Sequence, residues 1–184
     1  MKTETMQLAG VTAKEDILPA YHGTSIKTLL CYHNLGMPHK EYTSAQLLIG
    51  MCMDNRNQLN IPRNFSFIIR TAGANLRYSE FQVSFALSLG NVKTIAIIGH
   101  TQCGMVNVMA KQNEFVSGLV RNAGWQPQQA EQHFLQLAPS HEIGNEIHFV
   151  LSESRRLRLR YPEVLVAPML YKVEDSKLYQ IVEN

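Results

Sequence analysis

The chain has 184 residues, of which 45% are hydrophobic and 17% charged, with a formal net charge of +2 at pH 7. This length and composition predict one globular domain with a sizeable core, and the low net charge excludes the strongly basic surface that nucleic-acid binding needs. No apolar stretch is long enough to span a bilayer, and the first residues lack the apolar core of a secretory signal. Three cysteines without the spacing of a disulfide framework indicate a cytoplasmic protein with reduced thiols.

The N-terminal region divides into an arm and a helix. Residues 1–23 have weak hydrophobic periodicity and predict an irregular arm. Residues 24–35 carry apolar side chains at helical spacing, and Thr24 or Ser25 can cap the start of this helix. We therefore expect an N-terminal arm followed by a single α/β domain over residues 24–184.

Three short apolar runs predict the central strands of a sheet. Their continuous hydrophobicity is typical of strands that are buried on both faces of a parallel sheet. They are residues 47–52, 65–69 and 94–98.

A helical pattern over residues 78–89 separates the last two of these runs, and it places Phe81, Phe85 and Leu89 at helical spacing. So many apolar side chains predict that this helix is buried on more than one side, either in the core or in a subunit interface. Strand, helix and strand in this order indicate a right-handed crossover. The predicted fold is therefore α/β, with a central, mostly parallel sheet flanked by helices.

The C-terminal half predicts further helices and a terminal hairpin. Residues 104–140 read as helices that are interrupted around Gly124 and Pro127, and residues 141–160 as a helix that ends before Tyr161-Pro162. A strand is predicted over 164–167. The runs 170–173 and 178–182 then predict two antiparallel strands joined by a polar turn.

Two polar stretches follow predicted strands and carry the candidate chemistry. In the stretch GMCMDNR, Cys52, Asp54 and Arg56 alternate, so an extended chain places all three on one face. In the stretch GHTQCGM, His100 and Cys103 follow the next predicted strand in the same way. Because the carboxyl ends of adjacent parallel strands meet at one edge of a sheet, we expect these side chains to converge there.

The ligand types at this edge favour a catalytic zinc site. Two thiols and one imidazole leave the fourth zinc position open, whereas structural zinc sites usually take all four ligands from protein. A lone His-x-x-Cys pair is weak evidence, since most such pairs are unrelated core or loop residues, and Cys52 could equally be a buried apolar thiol. The nearby Asp54 and Arg56 strengthen the metal interpretation, because two charges at a strand end are costly unless they pair.

The combination Cys-x-Asp-x-Arg, followed about fifty residues later by Gly-His-x-x-Cys-Gly, resembles the β-class carbonic anhydrases. The resemblance extends over roughly residues 44–182, including the stretch 65–74 and the long helix with its Tyr-Pro stop in 145–181. It implies a Zn²⁺ ion bound by Cys52, His100 and Cys103, with water as the fourth ligand.

The resemblance also implies roles for the neighbouring residues. Asp54 would accept a hydrogen bond from the zinc water, and Arg56 would hold Asp54 away from the metal. Gly104 would offer its N–H to a bound oxygen, although a turn glycine before a helix has the same pattern. Phe67 and Phe85 would line the substrate pocket, reaching it from a dimer partner, although plain core packing explains them equally well.

The activity implied by the resemblance is the zinc-dependent, reversible hydration of carbon dioxide to bicarbonate by a homodimer or higher homo-oligomer. Two alternatives stay open. The same scaffold could hydrolyse carbonyl sulfide or carbon disulfide, because the zinc chemistry is shared and only access to the pocket differs. The chain could also be a zinc-stabilised binding module without turnover, although a purely structural zinc site needs neither Asp54 nor Arg56.

Overall fold

The computed structural model describes residues 7–183 as a six-stranded sheet with helices on both faces. The strands are β1 (Gln7–Ala9), β2 (Leu47–Cys52), β3 (Ser66–Thr71), β4 (Thr94–His100), β5 (Leu165–Lys172) and β6 (Lys177–Val182). The helices are α1 (Ser25–His33), α2 (Glu80–Ser88), α3 (Gln112–Ala123), α4 (Pro127–His141) and α5 (Glu146–Arg160). The strand order is β1-β6-β5-β4-β2-β3, and β3, β2, β4 and β5 pair in parallel. This arrangement confirms the predicted α/β fold with a mostly parallel sheet.

The two central strands, β2 and β4, are buried along their whole length. Alternate side chains enter different cores, since successive residues of a strand point to opposite faces. Ile49 and Ile98 pack in the core that includes α1, whereas Leu48 and Ile97 pack in the core that includes α2 and α5. Burial on both faces explains why these strands read as continuous apolar runs.

Two strands, β5 and β1, differ from the sequence prediction. The runs 164–167 and 170–173 belong to one strand, β5, which continues through Pro168. Pairing between β5 and β6 begins only at Met169, so the missing N–H of Pro168 removes no bond on that side. At the other end, Gln7–Ala9 pair with β6, where the sequence predicted an irregular arm over 1–23; residues 1–6 lie outside the described residues.

Helices α3 to α5 begin and end close to the predicted positions. Gly124 ends α3 with a left-handed backbone angle φ of 70°, which glycine adopts without strain, and Pro127 occupies the first turn of α4. Asn145 caps α5 by accepting hydrogen bonds from the N–H groups of Ile147 and His148. None of the helices within residues 7–183 is long and apolar enough to cross a membrane.

Helix α2 and the edge strand β3 leave large apolar side chains uncovered. Val83 and Ala86 of α2 are buried, but Phe81 and Leu89 remain 78% and 77% exposed. We name this surface the β3–α2 face. It comprises Phe67, Ile68, Phe81, Phe85 and Leu89. Within one chain these side chains are not buried in the core, and the subunit interface offered by the sequence as the alternative for this helix stays a prediction.

His33 links the end of α1 to the loop that follows β2. Its ring is buried, accepts a hydrogen bond at Nδ1 from the N–H of Asn60 (3.0 Å), and packs against Tyr171. Burial lowers the pKa of His33 from 6.5 to about 4, and the positive charge of Lys177 acts in the same direction. The folded protein therefore holds this imidazole neutral at neutral pH.

We predict that His33 makes the protein less stable in mild acid. The folded pKa lies below the unfolded one, so the unfolded chain binds the proton more readily, and stability is lost as pH falls from 6.5 towards 4. From this residue alone, the free energy of unfolding should fall by about 2 kcal/mol between pH 7 and pH 5. Urea unfolding of wild type and His33→Asn at both pH values measures this, since asparagine keeps an acceptor but does not titrate. An equal pH dependence in the two proteins would contradict the prediction.

Candidate metal centre

The carboxyl ends of β2 and β4 bring Cys52, His100 and Cys103 together. Cys52 is the last residue of β2, His100 is the last residue of β4, and Cys103 lies in the turn that follows. All three are buried, and their candidate ligand atoms lie within 4.8 Å of one another. The predicted convergence of the three side chains is present in the structure.

The geometry of the three side chains fits a metal ion. The Sγ atoms of Cys52 and Cys103 are 3.9 Å apart. Two Zn–S bonds of about 2.3 Å at a tetrahedral angle would separate the sulfurs by roughly 3.8 Å. His100 Nδ1 lies 2.9 Å from the carbonyl oxygen of Thr101, while the buried Nε2 has no hydrogen-bond partner among residues 7–183. A donor at Nδ1 leaves the Nε2 lone pair free to bind a cation.

The contact between the two cysteines favours a thiolate at Cys52. A hydrogen bond from Cys103 is the main cause that lowers the pKa of Cys52 to about 4. The same contact and burial raise the pKa of Cys103. Burial opposes a charge on His100, but its interactions with the Cys52 thiolate raise the pKa of the imidazole overall. The Cys52 thiolate therefore places negative charge among the candidate ligands, and a bound cation would be attracted to it.

Asp54 and Arg56 form a bidentate ion pair beside these ligands. Arg56 Nη2 donates to Asp54 Oδ2 at 2.7 Å and Nε donates to Oδ1 at 3.0 Å, while the backbone N–H of Arg56 also donates to Oδ1 at 2.9 Å. Asp54 Oδ2 lies 3.9 Å from His100 Nε2, so the carboxylate borders the space between the candidate ligands. The hydrogen bonds from Arg56 lower the pKa of Asp54 to about 2. Asp54 is therefore ionised at neutral pH.

Arg70 and Asn57 fix the loop that carries Asp54 and Arg56. Arg70 Nη1 donates to the carbonyl oxygen of Cys52 (2.9 Å) and to Asn57 Oδ1 (2.8 Å), and Asn57 is fully buried. Arg70 lies within the stretch 65–74 that resembles the family, but no sequence pattern predicted a role for Arg70 or for Asn57. The contacts of Arg70 with Cys52 and Asn57 could not be predicted from sequence spacing, because they depend on the parallel pairing of β2 with β3.

Three further polar residues support the turn after β4. Gln102 accepts from Arg56 Nη1 and donates from Nε2 to Glu174, which lies in the turn between β5 and β6. Glu146, at the start of α5, accepts from the N–H of Cys103 at 3.3 Å. Sequence reasoning missed all three, since Glu174 is 72 positions from Gln102 and each is an ordinary surface residue type.

The structure places the three predicted substrate-binding residues in different environments. Gly104 directly follows Cys103 and stands at the edge of the ligand group. Phe67 pairs with Leu48, four positions before the Thr71–Cys52 pair, which is about 13 Å along the strand. Phe85 lies with Phe67 on the β3–α2 face. The chain therefore does not bring its own Phe67 and Phe85 to its own ligand group.

An apolar cavity of about 240 Å³ lies beside the turn that carries Cys103. Its wall includes Ala72, Met105, Phe115 and Phe134. Met105 also packs against the small cluster of Cys52, Cys103 and Ile143. The ligand group thus has a hydrophobic flank on the side of α3 and α4.

Comparison with known proteins identifies the family and the fold of the chain. A family model described as carbonic anhydrase matches residues 47–178. No curated protein matches the sequence. Among solved structures, β-carbonic anhydrase isoform I of Trichomonas vaginalis is similar at 18% identity and a TM-score of 0.64, covering 91% of this chain and 99% of that one.

Two further solved structures share the fold. Carbonic anhydrase from Streptococcus mutans is 18% identical with a TM-score of 0.58, covering 90% of this chain and 100% of that one. A carbon disulfide hydrolase in its apo form is 22% identical with a TM-score of 0.51, covering 88% of this chain and 90% of that one. The matched range, residues 47–178, covers most of the chain, and the three candidate ligands, Asp54 and Arg56 lie within it. The chain therefore belongs to the β-carbonic anhydrase family.

Proposed function

We propose that this protein is a zinc-dependent lyase that reversibly hydrates carbon dioxide to bicarbonate and a proton. The observation that carries the proposal is the convergence of Cys52, His100 and Cys103 beside an Asp54 that Arg56 holds in a bidentate pair. A structural zinc site would gain nothing from that pair, whereas a catalytic site needs control over its open position.

Cys52, His100 and Cys103 would hold the zinc ion. When bound, zinc lowers the pKa of a water far below its bulk value of about 15.7, so that hydroxide is available on the alkaline side of neutral. The chain contributes the orientation of its ligands. The carbonyl oxygen of Thr101 fixes the His100 ring, and the N–H of Cys103 is held by Glu146. Such support typically keeps metal ligands in place and tunes them.

Asp54 and Arg56 would control the open position. The Asp54 carboxylate would accept a hydrogen bond from the reacting water and so fix its orientation. Because its pKa is about 2, Asp54 is too weak a base to take up the released proton at neutral pH, and the proton must pass to solvent or buffer. Arg56 would keep the carboxylate away from the metal, where it could bind in place of water.

The substrate side of the proposal rests on apolar surroundings. Carbon dioxide has no net dipole and partitions into hydrophobic spaces, and the ligand group has a hydrophobic flank next to Met105. Gly104 is the proposed donor to a substrate oxygen, since its N–H follows directly after the ligand Cys103.

Hydrolysis of carbon disulfide or carbonyl sulfide is the second candidate function. The observation that favours it is the cavity of about 240 Å³ beside Met105, whose lining is almost wholly apolar. These sulfur compounds are also linear and apolar, so the same residues would serve. The similar structure of a carbon disulfide hydrolase supports only the point that the fold is compatible with such a reaction.

We further propose that the protein is a homodimer or higher homo-oligomer that associates through the β3–α2 face. β3 is an edge strand with unpaired backbone groups, and its exposed apolar neighbours extend onto α2. A second copy related by two-fold symmetry would cover the same face on both chains. Phe67 and Phe85 would then face the partner chain, as the resemblance implies for its substrate pocket.

We also propose that the protein is located in the cytoplasm, a reducing compartment. Cys31, Cys52 and Cys103 are all free thiols in the structure. Zinc binding needs Cys52 and Cys103 as thiolates, and an oxidising compartment would favour their conversion to a disulfide.

The first prediction from the proposed function concerns metal content. Purified wild-type protein should contain about one zinc ion per chain, and Cys103→Ser should lose most of it, because a serine hydroxyl is a far poorer ligand than a thiolate. Cys31→Ser is the matched control, since Cys31 is a buried core thiol on α1. Elemental analysis measures both. Equal zinc in wild type and Cys103→Ser would remove Cys103 from the ligand set.

The second prediction concerns activity and its pH dependence. In a stopped-flow assay with excess buffer, kcat/KM for carbon dioxide should rise across about pH 6.5–9 and level off on the alkaline side of neutral, since the deprotonated nucleophile reacts. Two thiolates make the site less positive than three histidines would, so the midpoint should exceed the pKa of about 7 found for three-histidine sites. A parallel sulfide-release assay with carbon disulfide separates the two candidate substrates. Absence of both activities in zinc-loaded protein would favour a binding module.

The third prediction concerns assembly. Light scattering should give wild type at least twice the chain mass of 20.8 kDa, whereas Phe81→Glu should shift it towards the monomer by placing a charge in the β3–α2 face. Leu159→Glu is the control, because Leu159 is 86% exposed on α5, outside that face. A wild-type mass of one chain would refute association, and an unchanged Phe81→Glu would refute this surface.

A further inference from the structure

A chain of hydrogen bonds connects Arg56 to the turn between β5 and β6. Arg56 Nη1 donates to Gln102 Oε1 at 3.3 Å, and Gln102 Nε2 donates to Glu174 Oε1 at 2.9 Å. Thr101 Oγ1 donates to Glu174 Oε2 at 2.8 Å and itself accepts from the N–H of Val173 at 3.0 Å. The carboxylate of Glu174 is therefore fixed through both of its oxygens.

The chemistry of the three groups dictates the orientation of the Gln102 amide. A guanidinium has only donors and an ionised carboxylate has only acceptors, whereas an amide has one acceptor end and one donor end. Gln102 satisfies both neighbours only when its oxygen faces Arg56 and its nitrogen faces Glu174. If the carboxylate of Glu174 were removed, either end of the amide could face Arg56, and the nitrogen end offers no acceptor.

Arg56 is held from two opposite sides by these contacts. On one side lies Asp54, and on the other lies Gln102, which accepts from Nη1 through its side chain and from Nη2 through its backbone carbonyl at 3.1 Å. The Arg56 side chain is 43% exposed, so water competes for its donors. A second anchor is therefore needed to keep the guanidinium in one orientation.

The backbone of Gln102 is shaped to make this contact. Its φ angle is 58°, in the left-handed region that non-glycine residues adopt rarely. The turn between His100 and Cys103 thereby directs the Gln102 side chain between Arg56 and Glu174. A strained residue at such a place is expected where the surrounding contacts over-determine it.

We propose that Glu174 and Gln102 are positioning residues, which hold Arg56 in the orientation that keeps Asp54 off the metal position. This inference rests on the proposed function of Asp54 and Arg56. It extends the site from the sequence motif to the hairpin at the other side of β4. Neither residue contacts the reacting atoms, so their effect passes wholly through Arg56.

The test compares Glu174→Ala with wild type in the Co²⁺-substituted protein. Removal of Glu174 should lower kcat/KM for carbon dioxide about tenfold while one metal ion per chain is retained. It should also shift the visible absorption of Co²⁺ towards the spectrum of Arg56→Ala, in which Asp54 is free to bind the metal. Asp175→Asn is the matched control. Asp175 lies in the same turn but accepts from Tyr179 and from the N–H of Lys177, so wild-type rates and spectra are expected.

Two further variants make the outcome decisive. Gln102→Gly removes the side chain that joins Arg56 to Glu174, at a φ angle that glycine adopts freely. It should reproduce the Co²⁺ spectrum of Glu174→Ala. If Glu174→Ala does not fold, the spectrum of Gln102→Gly tests the positioning role instead. In an Arg56→Ala background, Glu174→Ala should cause no further spectral change, because the two changes act on one contact. Wild-type spectra in Glu174→Ala and Gln102→Gly, or additive effects in the double variant, would overturn the proposal. A wild-type protein that does not hydrate carbon dioxide refutes the proposed function instead, and the Co²⁺ spectra still decide the positioning role.

Discussion

The parallel pairing of β2 with β4 is the constraint on which the site depends. Its register places Met51 beside Ile98, so Cys52 and His100 end two neighbouring strands at the same edge of the sheet. Both strands are buried on two faces, which leaves this register little freedom, because a shift by one residue would turn every side chain to the opposite core. The sheet thus fixes two of the three candidate ligands. Gly99 allows α5 to pack closely here, since a Cβ atom at this position would lie 2.7 Å from Val150 Cγ2.

The negative charge of the site comes from two side chains, Cys52 and Asp54, each of which has a hydrogen-bonded partner. Cys52 and Cys103 are in hydrogen-bond contact, and the guanidinium of Arg56 donates to both oxygens of Asp54. Each pair places negative charge next to His100 without an unpartnered buried carboxylate. A bound cation would then meet preformed donors, so little rearrangement has to accompany binding. This explains how one edge of the sheet can carry two kinds of anionic group without an unpaired buried charge.

Sequence patterns predicted the parts of the structure that depend on local chemistry. The strands β2 and β4, a cap of α1 at Thr24 or Ser25 and the break before Pro127 could be predicted because each has a local physical cause; the structure selects Thr24 as the cap. The continuous strand through Pro168 could not be predicted. A proline is tolerated at this position only because pairing with β6 begins at Met169, and that depends on the tertiary structure. The three ligands were predicted from their position after strands. Gln102, Glu174, Asn57 and Glu146 were missed, because their contacts join distant segments and their residue types are common on any surface.

The contact of β6 with the segment around Asp16 has a consequence for how the protein folds during synthesis. Gln180 of β6 accepts from the N–H of Leu18, a residue 162 positions earlier, and its side-chain nitrogen donates to the carbonyl oxygen of Asp16. The segment around Asp16 therefore cannot form these contacts until β6 has been synthesised. Such distant contacts slow folding, because a long loop must close before they form. Until then the apolar residues Ile17 and Tyr21, which are buried in the finished protein, stay without their full cover. Nascent chains of this protein should accordingly be clients for general chaperones that shield exposed hydrophobic segments.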